Sequence, residues 1–161
     1  MRKPYITIPH LVMEIISYVL LVVTVAGVFI FIWKNGGEPV PTHYNFAGEV
    51  DGYGSAWTLL LMPGIMLFVN ITISFSIHVM SPAGWNMPFK IKPGREIAVW
   101  RCIVLMNAVL MLLISAFAMV STVVLMLERG DLIMLLSVGL VVLIIPAIVV
   151  PTVMASRRNR W

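Results

Sequence analysis

The side chains best equipped for chemistry crowd into one stretch, Pro41 to Trp57, which reads PTHYNFAGEVDGYGSAW. His43, Asn45, Glu49, Asp51, Tyr53 and Ser55 fall within thirteen positions of a chain in which only 11% of residues are charged. Three chemistries suit these types. Carboxylate and amide oxygens suit a hard cation and an imidazole suits a transition metal, so His43, Asn45, Glu49 and Asp51 form a mixed donor set. His43 and Asp51 are its best ligands, but the stretch has no HxxxH or CxxC spacing, and no metal or other cofactor is assigned. A hydrolase would use His43 as base beside Asp51 and Ser55 as nucleophile, yet the spacing matches no nucleophile elbow and no residue is assigned as catalytic. The third chemistry needs least: the polar groups hydrogen-bond the loop to itself and to a ligand or partner.

The loop also has the means to hold a shape. Tyr44, Phe46, Tyr53 and Trp57 give it an aromatic skeleton, and Pro39 and Pro41 stiffen its start. Gly48, Gly52 and Gly54 allow tight or left-handed turns. An ordered cap is therefore expected, with Pro41, His43, Asn45, Gly48, Asp51, Tyr53, Gly54 and Ser55 binding a ligand or structuring the loop.

The elements that must position this loop lie on either side of it. The chain has 161 residues, 60% of them hydrophobic, and a mean hydropathy of +1.00. A soluble domain of that composition would lack the polar surface to stay in solution, so an integral membrane protein is expected. Four apolar runs, Leu11–Trp33, Trp57–Val79, Cys102–Leu127 and Leu132–Met154, are each long enough to cross a hydrocarbon core. Lipid demands that backbone groups be paired within the segment, which predicts four helices. The expected fold is an all-α four-helix bundle forming a single membrane domain over residues 1–161. Its long ordered loop joins helices 1 and 2 (residues 34–56), and a second loop covers residues 80–101. The first run is about twice the length of a signal-peptide core and reads as a retained span.

Charge sets the expected orientation. Arg2, Lys3, Lys90, Lys92, Arg95, Arg101, Arg157, Arg158 and Arg160, nine of the eleven basic residues, fall on one side. The positive-inside rule puts that side, with both termini, in the cytoplasm. Five of the seven acids, Glu38, Glu49, Asp51, Glu128 and Asp131, fall on the other. Basic residues at span ends are orientation signals and not a nucleic-acid surface, so no nucleic-acid partner is expected.

Polar residues inside the spans need a partner or a cavity. Asn70, Ser74 and His78 are spaced four apart and share a helix face, and Asn107, Ser115 and Thr122 lie close to one stripe. Glu14 is expected to pair with Arg101 or His78 at the basic end. Hydrogen bonding between helices explains these intramembrane polar residues most simply, with an ion or proton path as the sharper reading. The single Cys102 excludes an internal disulfide and reads as a small packing residue.

The order Pro41-Thr-His43-Tyr-Asn45, Gly48, Asp51-Gly-Tyr53-Gly-Ser55 resembles P-x-H-[aromatic]-N-x-x-G-x-x-D-G-[aromatic]-G-S. This is the signature of a bacterial membrane domain of unknown function, the domain numbered 1648, which also forms the N-terminal part of immunity proteins against a sporulation-delay killing peptide. The family commonly has a lysine after G-S, where this chain has Ala56, and the immunity-specific C-terminal domain is not recognised in the second half. The resemblance implies a membrane domain of the bacterial cytoplasmic (inner) membrane.

The function expected from all this is non-enzymatic: a multi-pass protein whose outer loop binds or senses an envelope ligand, in antimicrobial-peptide immunity or signalling. Its partners would be the lipid bilayer, a peptide or membrane protein, and a second copy of itself. A transporter or transporter subunit is the alternative, though no inverted repeat is visible. A metal-dependent membrane enzyme using His43 and Asp51 is the third.

Overall fold

The computed structural model describes residues 3–45 and 47–160. Arg2, which entered the charge bias, and Phe46, which entered the aromatic skeleton, lie outside the described residues. Among the described residues four helices are long and apolar enough to cross a membrane, and the chain is a mainly helical, multi-pass membrane protein. Helix α1 spans Ile8–Lys34, α2 Leu61–His78, α3 Glu96–Met126 and α4 Gly130–Arg160.

Each helix follows one apolar run but does not stop where hydropathy stops. Hydropathy marks only the part suited to hydrocarbon, whereas a helix continues while its backbone bonds do. Thus α3 starts at Glu96, six residues before Cys102, and α4 runs on through its arginines to Arg160. The connection at the basic end is accordingly shorter than the 80–101 expected, since α2 ends at His78 and α3 starts at Glu96.

The all-α expectation needs one amendment. The loop between the first two helices contains an antiparallel hairpin of β1, Val40–Tyr44, and β2, Val50–Gly54. A 3₁₀ turn over Ala56–Leu60 then leads into α2. The Ser55 hydroxyl caps that turn by accepting from Trp57 N–H, and the Thr58 hydroxyl donates to the Ser55 carbonyl at 2.7 Å.

Helix α3 is the centre of the bundle: it has eleven buried residues, against five in α1 and three in α2. The outward face of α4 exposes Val138, Val141, Val142, Leu143 and Ile145, a surface suited to lipid tails. Between α3 and α4 the chain reverses within a few residues. Arg129 N–H donates to the Val124 carbonyl and Glu128 N–H to that of Leu125, both at 3.1 Å. This is the helix-ending motif that needs a left-handed residue, and Glu128 adopts it with φ 55°.

The two ends of the bundle differ in chemistry. At the end with the termini, the Lys3 ammonium donates to the Ile77 and Met80 carbonyls, and Arg101 donates to the Pro4 carbonyl. Buried Tyr5 meets Trp85 and Trp100 edge-to-face. Asn159 of α4 accepts from Lys92 N–H and donates to the Lys90 carbonyl, tying the α2–α3 connection to the last helix. The hairpin and the α3–α4 turn occupy the opposite end.

Candidate functional site

The hairpin is built on a core of Val28, Val40, Ala56 and Leu59, against which Phe31 and Leu125 pack. Its base is thereby fixed to α1 and α3. At its tip, Gly48 N–H donates to the Asn45 carbonyl and Asn45 N–H to that of Glu49, both at 2.9 Å. Gly48 has φ +82°, so the reversal closes with a left-handed residue as hairpins of this loop length require. The Asn45 side chain completes the turn. Its oxygen accepts from Ala47 N–H at 2.9 Å and Glu49 N–H at 3.0 Å, and its amide donates to the Glu49 carboxylate at 2.9 Å.

Gly52 and Gly54 weaken a strand by propensity, and their use here is close approach. A Cβ on Gly52 would come within 3.1 Å of the His43 Cβ opposite, and one on Gly54 within 2.9 Å of Thr42 Cγ2. Pro41 is fully buried and pairs with Tyr53, whose side chain stays exposed.

This register brings His43 and Asp51 together. His43 Nδ1 lies 2.5 Å from Asp51 Oδ1, with side chains 73% and 43% exposed. An ionised carboxylate only accepts, so Nδ1 donates and Nε2 is left directed away from the pair as the second imidazole nitrogen. The pair is half of an acid–base arrangement, but it stands in solvent and the Ser55 hydroxyl is held at the start of the 3₁₀ turn. Among the described residues no three of His, Cys, Asp and Glu converge in a way that could hold a metal.

The tip of the hairpin stands on the start of α4. A Cβ at Gly130 would fall 2.0 Å from Tyr44 Cδ1 and 2.5 Å from the Gly48 carbonyl oxygen, and one at Gly48 would meet the Asp131 backbone at 3.1 Å. The two glycines are therefore contact surfaces. Arg129 grips Asp131 through two parallel bonds of 2.8 and 2.7 Å. Beside this contact is a cleft of about 530 Å³, with His43, Asn45 and Asp131 on its rim and Ile133 and Met134 on its apolar wall. The buried hydroxyl of Tyr44 has no hydrogen-bond partner among the described residues. Burial pushes its phenol above the ordinary tyrosine range, and the Glu128 carboxylate adds to the effect.

The intramembrane polar residues form two separate groups. The Ser74 hydroxyl donates to Glu14 Oε1, Tyr18 donates to Ser74 at 2.9 Å, and His78 Nε2 lies 2.8 Å from Glu14 Oε2. Glu14 thus meets His78, while Arg101 turns to the Pro4 carbonyl. Asn70, on the same face as Ser74, instead donates to Ser115 of α3 at 2.8 Å, and both are fully buried. Asn107 is half-buried on α3, and the Thr122 hydroxyl is buried without a partner among the described residues.

Sequence reasoning passed over Tyr18, although it lies one helical turn from Glu14 and hence on its face. It also gave no site role to Gly130, Asp131, Ile133 or Met134, of which only Asp131 entered, through its charge. The one signal for Gly130 was its place: the left-handed helix-ending position belongs to Glu128, so a glycine two residues later needs another reason.

Residues 19–67 match the family model described as a domain of unknown function (DUF1648). The matched stretch runs from the middle of α1 through the hairpin into the first turns of α2, and contains the whole Pro41–Ser55 signature. No curated protein and no solved structure matches the chain.

Proposed function

We propose that the segment matching this domain of unknown function is a recognition cap, by which a protein of the bacterial cytoplasmic membrane binds or senses a cationic, partly apolar peptide in the envelope. Both termini lie inside and the hairpin outside in this reading, which the separation of basic and acidic residues supports. The observation that carries it is a rigidly seated hairpin whose chemistry is left open. The base of β1 is in the core, the tip rests on Gly130, and yet His43 and Asp51 remain exposed beside the cleft.

The lining suits that ligand class. Asp131 presents a carboxylate at the rim, where His43 carries its partner Asp51, while Ile133 and Met134 offer an apolar wall. Glu38, Glu49 and Glu128 extend the acidic character of this end, against Lys34 and Arg129, and such a field draws in cations. Binding is favoured over catalysis because the His43–Asp51 pair stands in solvent and the Ser55 hydroxyl is engaged in capping the 3₁₀ turn. Protection against, or signalling of, an antimicrobial peptide is the biological role that follows.

Expression in a peptide-sensitive host tests it. The reading requires that the protein raise tolerance to cationic envelope-active peptides and that His43→Ala remove the gain. Identical killing curves for the protein, the variant and the empty control overturn it.

A further inference from the structure

A second cleft, at the opposite end of the bundle, has different chemistry. It measures about 180 Å³ and lies where α1, α3 and α4 meet. Thr7, His10, Arg101 and Arg158 line its polar part, and Leu105 and Met154 its apolar part. We propose that this cleft is a binding site for the phosphate headgroup of an anionic phospholipid in the leaflet at the basic end.

The polar lining is made of donors. Arg101 spends its Nε and one terminal nitrogen on the Pro4 carbonyl, at 3.3 and 3.0 Å, which fixes the guanidinium and leaves its other terminal nitrogen for a ligand. His10 Nδ1 accepts the Thr7 backbone N–H at 3.1 Å. In the neutral imidazole the proton is then on Nε2, a further donor. Arg158 supplies a second guanidinium, and no carboxylate is among the described residues lining the cleft. Two guanidiniums and an imidazole N–H with no counter-charge suit a phosphate oxygen set, for which arginine geometry is well matched.

Depth decides between a lipid and a free anion. Leu105 is four residues beyond Arg101 along α3, and Met154 four before Arg158 on antiparallel α4. Both lie about 6 Å deeper than the arginines, at 1.5 Å per residue. An occupant therefore meets cations at headgroup level and apolar side chains directly beneath, where acyl chains begin. Basic pockets between spanning helices are a recognised form of anionic-lipid site.

Native mass spectrometry of the purified protein with phosphatidylglycerol and with phosphatidylcholine provides the test. Each arginine near the surface contributes about a fivefold factor, so Arg101→Gln/Arg158→Gln is expected to weaken phosphatidylglycerol binding roughly thirtyfold. Arg157→Gln/Arg160→Gln removes the same charge from positions outside the cleft and is expected to bind nearly as the parent does. Since Arg101 also holds Pro4, the single Arg158→Gln variant, expected to lose about fivefold, separates loss of the site from loss of the fold. Equal losses in both double variants mean diffuse surface charge and overturn the site. So does equal binding of the two lipids by the parent, or displacement of phosphatidylglycerol by millimolar inorganic phosphate alone.

Discussion

The ring of Tyr44 occupies the space that any side chain at residue 130 would need. A Cβ placed on Gly130 would sit 2.0 Å from Tyr44 Cδ1. This contact seats the outer hairpin on the first turn of the last helix, residues far apart in the sequence. It also gives each glycine a different job: Gly48 turns the chain with its positive φ, whereas Gly130 has no such φ and serves only by being small.

Gly130→Ala is therefore expected to push Tyr44 and the Gly48 carbonyl off α4, costing about 1–3 kcal/mol as overpacking does. Gly139→Ala in the middle of the same helix meets nothing within 4 Å and is expected to be neutral or to stabilise by up to about 1 kcal/mol. Thermal unfolding in detergent, with protease cleavage of the hairpin as a local probe, compares the two. Similar melting temperatures for both variants contradict the seating contact.

Tyr44 carries a pH signature. Its hydroxyl is buried without a partner among the described residues, and its phenol is held above the usual range, by burial first and Glu128 second. The docked form then keeps its proton where a released, solvated tyrosine loses it. Stability from this residue is intact below about pH 10 and falls as pH rises from there toward the docked value. Tyr44→Phe is expected to match or exceed the parent at pH 8, since no bond is lost, and to show a smaller loss at pH 10.5. Thermal melts of both proteins at the two pH values measure the difference. An equal alkaline loss in both contradicts it.

The Asn70–Ser115 bond lends itself to a double-mutant cycle. Both side chains are fully buried and the bond crosses from α2 to α3. Ser115→Ala strands the Asn70 amide, whose oxygen already has no partner among the described residues, while Asn70→Leu/Ser115→Ala removes the whole polar pair. The single change is expected to cost about 1 kcal/mol and the coupling to be about 0.6 kcal/mol, typical of bonds between spanning helices. Additive single and double effects in unfolding measurements contradict an energetic link between the helices.

Much of the fold could be read from the chain because lipid leaves few options. Twenty-odd apolar residues between polar segments can only become a helix there, and Leu11–Trp33 does so within α1. The hairpin was hidden for a physical reason. Gly52 and Gly54 depress strand propensity and Pro41 cannot donate, so β1 and β2 read as irregular chain. Their logic emerges only when His43 is seen opposite Gly52. Gly48 was legible as a turn former, Asn45 as a polar residue that binds a ligand or structures the loop, and His43 and Asp51 as reactive types. Their 2.5 Å approach depends on a strand register with two irregularities, which spacing alone does not reveal. The apolar wall of the cleft, Ile133 and Met134, looked like any other lipid-facing pair.

The most direct test of the recognition cap is calorimetric titration with a synthetic leucine–lysine amphipathic peptide, using the protein in zwitterionic nanodiscs at low and at high salt. The account predicts saturable binding above that of empty nanodiscs, weakened by salt because the ligand is drawn by exposed carboxylates. It predicts a loss of about tenfold in His43→Ala/Asp51→Asn, and a loss in Gly130→Ala, where the hairpin is unseated. Equal affinity across the parent and both variants, or no heat beyond empty nanodiscs, contradicts it.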